Sequence, residues 1–208
     1  MTFLTSEQAI RYATDAWGVD IITMSFGFRN QIAIIHKAIK YAFLKDVIMF
    51  AAASNDGGNE DVAFPARIYE MVIGINSTNT WGDKSSFTSN TLPRSENFSI
   101  LGEAVESSWP KHLGQGSRQW RSGTSYATPI AAGTAATMLF YARVKLQKPD
   151  IVTEMGTCAG MRKLLLSMAE MRDGYNHLRP WRLWRKDDEY IIAHILTAFG
   201  EILGLRYT

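Results

Sequence analysis

Cysteine is nearly absent from this chain: Cys158 is the single one among 208 residues. One thiol excludes an intramolecular disulfide framework and suits a reducing compartment. No histidine lies near it in sequence, so it reads as a buried structural thiol. Charge of one sign is also missing, since 22 Lys and Arg face 20 Asp and Glu for a net +2. Charge alone therefore points to neither nucleic acid nor an acidic membrane. Long hydrophobic runs are lacking too. The longest, Ile130 to Ala142, is interrupted by Gly133 and Thr134 and is too short to span a bilayer. The first residues, "MTFLTSEQAIRYATDAWG", show no basic segment followed by an apolar core. The expectation is a cytoplasmic or otherwise intracellular protein, for which the sequons at Asn76 and Asn97 carry no weight.

What is present is enough to fold. A hydrophobic share of 46% supports a core, and the length fits one domain, or one with an extension. Thr5 to Gln8 can cap a helix whose face would be Ala9, Ile10, Ala13, Ala16 and Trp17, with Gly18 as the stop. "VDIITMS" (19–25) reads as a strand and "NQIAIIHKAIKYAFL" (30–44) as a helix. "VIMFAAA" (47–53) is an apolar strand buried on both faces, and "MVIGIN" (71–76) is a third strand. Polar, turn-rich sequence fills most of 77–122, with "FSIL" as one strand within it, and a long helix starts near Thr124. The alternation predicts a doubly wound, mostly parallel α/β sheet with flanking helices. Ligands of such folds gather at the carboxyl ends of the strands. Here those ends carry Ser25-Phe26-Gly27 and Ala53-Ser54-Asn55.

"GTSYATP" (123–129) stands where the long helix begins. Read by itself, Thr124-Ser125 is an N-cap and Asn55 is a turn residue before Asp56-Gly57-Gly58. A Gly-x-Ser-x-Gly enzyme is a poor match, because Ala127 takes the second glycine's place. With "ITMSFG" (22–27), "FAAASND" (50–56), "FPARIYEMVIGI" (64–75) and "KSSFTS" (84–89), the pattern resembles the subtilisin-like serine proteases, from about Ser6 to Tyr141. The resemblance implies the C-terminal part of a catalytic domain, lacking the N-terminal strands. It makes residues 1–170 a partial peptidase domain, and residues 171–208 read as a C-terminal helical extension of the same domain. It makes Ser125 the nucleophile in a first helical turn, where free N–H groups favour negative charge. Asn55 would join the Ser125 N–H in an oxyanion hole. An extended polypeptide substrate would pair with Ser25, Phe26 and Gly27. The side chain before the scissile bond (P1) would enter a pocket walled by Ala51, Ala52, Ala53 and Ser54, with Ala63 near its base. Those segments hold no acidic residue, which favours an apolar or aromatic P1 side chain over a basic one. Phe26 and Ser54 depart from the family, which more often has a small aliphatic residue and a glycine there.

The family's chain order is aspartate, histidine, serine. Neither its Asp-Thr/Ser-Gly turn nor its His-Gly-Thr motif is present, and His36, His112, His177 and His194 read as packing or surface residues. A serine hydroxyl without an adjacent base is a weak nucleophile. The expectation is thus a serine endopeptidase domain that is truncated and inactive as it stands. A non-catalytic peptide-binding module and a vestigial α/β scaffold are the alternatives. No cofactor is expected. The family often binds calcium, but no calcium loop is assignable and no metal-ligand spacing appears. Arg179, Arg182, Arg185 and Lys186 interleave with Trp181 and Trp184, a pattern read as a tryptophan-anchored surface turn rather than a nucleic-acid site.

Overall fold

The computed structural model describes residues 3–59, 61–93, 95–113 and 116–200. In chain order the helices and strands are α1 (Phe3–Asp15), β1 (Ile21–Met24), α2 (Ala33–Phe43), β2 (Ile48–Ala52), β3 (Ile73–Thr78), β4 (Phe98–Leu101), β5 (Val105–Ser108) and β6 (Arg118–Arg121). They continue with α3 (Thr124–Lys145), α4 (Pro149–Met155), α5 (Cys158–Ser167), β7 (Ala169–Arg172), β8 (Tyr175–Leu178), α6 (Trp181–Trp184) and α7 (Asp188–Ala198). Six strands form one sheet in the order β1-β2-β3-β4-β8-β7. All neighbours in it run parallel except the β7–β8 pair. Strands β5 and β6 form a separate antiparallel ribbon.

The expected doubly wound α/β fold is present, with a core on each face of the sheet. Ile48, Phe50, Ile73, Ile75, Phe98 and Ile100 face one layer, where α3 and α5 pack. Met49, Ala51 and Val72 face the other, against Ile35, Ala38, Ile39 and Ala42 of α2. Burial on both faces explains why β2 is a continuous apolar run, every residue of it buried. Helix α3 crosses the middle of the sheet on its Ala127, Ala131, Ala135, Met138 and Ala142 face.

Three sequence expectations are corrected by the backbone. Helix α1 already includes Phe3, so Thr5 lies inside it rather than capping it. Of its predicted apolar face only Ile10 and Ala13 are buried; Ala9, Ala16 and Trp17 are exposed. The segment from 171 onward is not wholly helical either. Asp173 and Gly174, with φ of 51° and 82°, turn β7 back into β8, and β8 then pairs with β4 inside the main sheet. A boundary at residue 170 would cut β7 in two. Helix α7 opens on the acidic residues Asp188 and Glu189, and Asp187 before them accepts the Tyr190 N–H at 2.8 Å.

Candidate active site

Ser125 stands in the first turn of α3, and the motif around it explains how it is held there. Gly123 precedes the helix with φ 152°, and a Cβ added to it would come within 3.3 Å of the Asn55 amide nitrogen. Only glycine accepts both that backbone and that neighbour. Pro129, one turn further on, has no N–H to return to the Ser125 carbonyl. That carbonyl is bonded instead by the Ser25 hydroxyl, at 2.9 Å. The proline therefore ties the end of β1 to the start of α3. In the reverse direction the Ser125 hydroxyl reaches the Ser25 carbonyl at 3.4 Å. A carbonyl is no proton acceptor for catalysis, so this contact orients the hydroxyl without activating it.

Asn55 follows β2 and is fixed from the helix side. Its Oδ1 accepts both the Thr124 N–H, at 2.8 Å, and the Thr124 hydroxyl, at 3.1 Å. An oxygen alone can accept from a backbone N–H, so the amide has one orientation and its NH₂ is left for another acceptor. Ser125 and Asn55 line a single cavity of about 830 Å³. Ser125 lies in the first helical turn, where backbone N–H groups have no acceptor within the helix.

The other expected residues divide by strand alternation. Ser25, Phe26, Gly27, Ala52, Ser54 and Ala63 line the same cavity. Ala51 and Ala53 do not: they are 0% and 1% exposed and turn into the α2-side core. Side chains two apart share a face, so Ala52 and Ser54 look outward while their neighbours look in. Gly27 meets Ala63 closely, since an added Cβ would stand 2.8 Å from the Ala63 Cβ. Phe26 is half-buried and packs 5.7 Å from the Phe28 ring. Ser54 is not among the residues of positive φ, so its place asks for no glycine. Its hydroxyl instead donates to the Asp56 carboxylate at 2.9 Å.

Several lining residues were not singled out in the sequence. Arg29, Asp56, Asp61 and Arg67 put charges around the cavity, and Asn90 to Pro93 close another wall. Loops far apart in the chain meet here, and no local pattern announces that.

The histidines lie elsewhere. None lines the cavity. His36 is on α2 and His112 is exposed in a short 3₁₀ turn. His177 is buried on β8, and its pKa is held below the ordinary value by burial, then by Arg172 and Arg179 nearby. His194 on α7 lies 3.0 Å from the Ser167 hydroxyl and is likewise lowered by burial. Among the described residues no group of three or more His, Cys, Asp or Glu side chains converges as a metal site. No described helix is long and apolar enough to cross a membrane.

A sequence model described as the subtilase family matches residues 1–179. The subtilisin-like protease het-Q2 of Podospora anserina is 29% identical over 179 residues, covering 80% of this chain and 48% of that protein. The major intracellular serine protease of Bacillus subtilis (strain 168) is 28% identical over 196 residues, covering 90% of this chain and 58% of that one. The chain spans about half the length of the curated relatives it matches. Among solved structures, the prenylagaramide maturation protease PagA superposes with a TM-score of 0.72 at 23% identity. That likeness covers 94% of this chain and 68% of the other, and it is one of fold.

Proposed function

The chain belongs to the subtilase family, and on that premise we propose that it is the nucleophile-bearing part of a serine endopeptidase domain whose general base is not among its own residues. The observation that carries this reading is the shared cavity of Ser125 and Asn55, with the Asn55 NH₂ left free by the two Thr124 bonds. In the proposed reaction the Ser125 Oγ attacks the carbonyl carbon of an extended polypeptide bound along Ser25 to Gly27. The carbonyl oxygen becomes an oxyanion, which the Ser125 N–H and the Asn55 Nδ2 stabilise. Collapse of that intermediate expels the amine and leaves an acyl group on Ser125, which water then removes. Every step moves a proton, and that requires a base near the Ser125 hydroxyl.

The free edge of β1 is where such a base would enter. Among the described residues that strand pairs only with β2, on its other side, and it leads directly into Ser25, whose carbonyl meets the Ser125 hydroxyl. A strand added to that edge would run about 4.8 Å away, so a side chain at its end would stand beside Ser125. The family's aspartate and histidine segments, which precede the serine in chain order, are the proposed occupants.

A chimera tests this. The Asp- and His-bearing segment of a subtilase relative is fused ahead of residue 1, and peptide hydrolysis is followed. The expected result is turnover that Ser125→Ala abolishes and Asn55→Leu lowers about 10²–10³-fold, a magnitude carried over from subtilisin. A folded chimera that stays inactive, or turnover indifferent to Ser125→Ala, would overturn the proposal.

A further inference from the structure

Among the described residues, one charge lining the cavity with Ser125 meets no opposite charge. Arg67 lines that cavity and is half-buried. Among the described residues its guanidinium has no hydrogen bond or ion pair. Other half-buried arginines are answered: Arg162 by Glu96 and two backbone carbonyls, Arg179 by Glu170. Of the other charged residues lining the cavity, Asp56 is exposed and accepts the Ser54 hydroxyl, and Asp61 is exposed to water. Arg29 is already engaged. The Arg67 N–H bonds the Ala63 carbonyl at 3.1 Å, so its side chain rises from the same turn as Ala63, the residue that meets Gly27.

A partly desolvated guanidinium without a partner is costly, and an apolar side chain placed against it would strip more water and return nothing. A carboxylate would accept two parallel N–H bonds from it. We propose that Arg67 is a specificity-determining residue that selects an acidic side chain, glutamate in the first instance, at the position whose carbonyl meets Ser125. This rests on the peptide-cleft reading above and replaces the apolar preference expected from the pocket segments alone.

The test is equilibrium binding, so it does not depend on turnover. Fluorophore-labelled peptides identical except for Glu, Gln, Phe or Lys at that position are titrated by anisotropy against the 208-residue protein. The expected result is Glu bound about tenfold more tightly than Gln, the scale of one charge-assisted hydrogen-bonded pair, with Phe and Lys weaker still. That preference should shrink at high salt, vanish in Arg67→Gln and return in part in Arg67→Lys, with circular dichroism unchanged. Peptides that bind with no preference for Glu, or a preference that survives Arg67→Gln, would overturn the proposal while leaving the cleft reading standing. Failure of every peptide to bind the wild type would overturn both.

Discussion

Strand β7 ends the six-stranded sheet with Glu170 and Arg172, whereas β1 ends it with Ile21, Ile22, Thr23 and Met24. At β7 the edge is a tight antiparallel hairpin, and its charged side chains are engaged: Glu170 with Arg179 and Arg182, Arg172 with Asp83. Charge and a short hairpin are the usual means of closing an edge against unwanted pairing. At β1 there is no charged residue in the strand, and the pairing is parallel. Helix α3, which packs on β1, leaves Gly133, Ala136, Thr137, Phe140 and Val144 bare on its outer side, with Phe140 69% and Val144 61% exposed. A helix apolar on nearly every side is built for burial. Among the described residues β7 is thus a finished margin, charged and closed by its hairpin, whereas β1 is an uncharged edge, and Ser125 stands at the β1 end.

The largest expected effect compares packing in the β7–β8 hairpin with packing on β1. Leu178 on β8 is fully buried, and Leu178→Ala should cost about 2–5 kcal/mol in urea unfolding. Ile22 on β1 is only half-buried, and Ile22→Ala should cost about 1 kcal/mol. Equal losses would break the contrast. Next comes association. A bare apolar edge invites pairing, so the purified chain should self-associate as its concentration rises. Thr23→Lys should weaken that association about tenfold, roughly 1.4 kcal/mol. Met171→Lys on the exposed face of β7 should leave it unchanged in sedimentation runs. Sensitivity at Met171 instead of Thr23 would reverse the assignment.

The smallest effect is with pH. Burial holds the folded-state pKa of His177 below the ordinary histidine value of 6.5, so below that pH the unfolded chain takes up a proton that the fold refuses. The stabilisation is therefore complete above pH 6.5 and is lost as pH falls through the lowered folded value. His194 acts in the same direction. Melting temperature should decline on acidification below neutrality, and His177→Gln should flatten the decline. A decline that His177→Gln leaves intact would remove the finished margin from the account of acid sensitivity.

Much of this was readable in the residues. Strand β2 announced itself because a run buried on both faces has no polar alternation to obscure it, and "FSIL" coincides with β4. Ser125 and Asn55 were singled out through the resemblance of the motifs around them, since read alone they are a helix cap and a turn residue; in the structure both line one cavity. The role of Pro129 in freeing the Ser125 carbonyl was not legible, since it depends on a hydroxyl 100 positions away. Strands β5 and β6 were missed because their residues are largely exposed and carry no apolar alternation. The β7–β8 hairpin had a signal in Asp173-Gly174, a pair suited to two successive positive φ values. The polar "AEMR" and "YNHL" on either side masked it. Arg67 was invisible as a site residue because a loop-borne arginine becomes one only when four distant segments close around it.

Peptide hydrolysis by the purified 208-residue chain, set beside its Ser125→Ala variant, tests the central claim most directly. On the proposed reading these residues hold the nucleophile and its oxyanion donor and not the base, so the two proteins should be indistinguishable. Turnover by the wild type that Ser125→Ala abolishes would contradict the account, for it would mean that these residues already contain the proton acceptor.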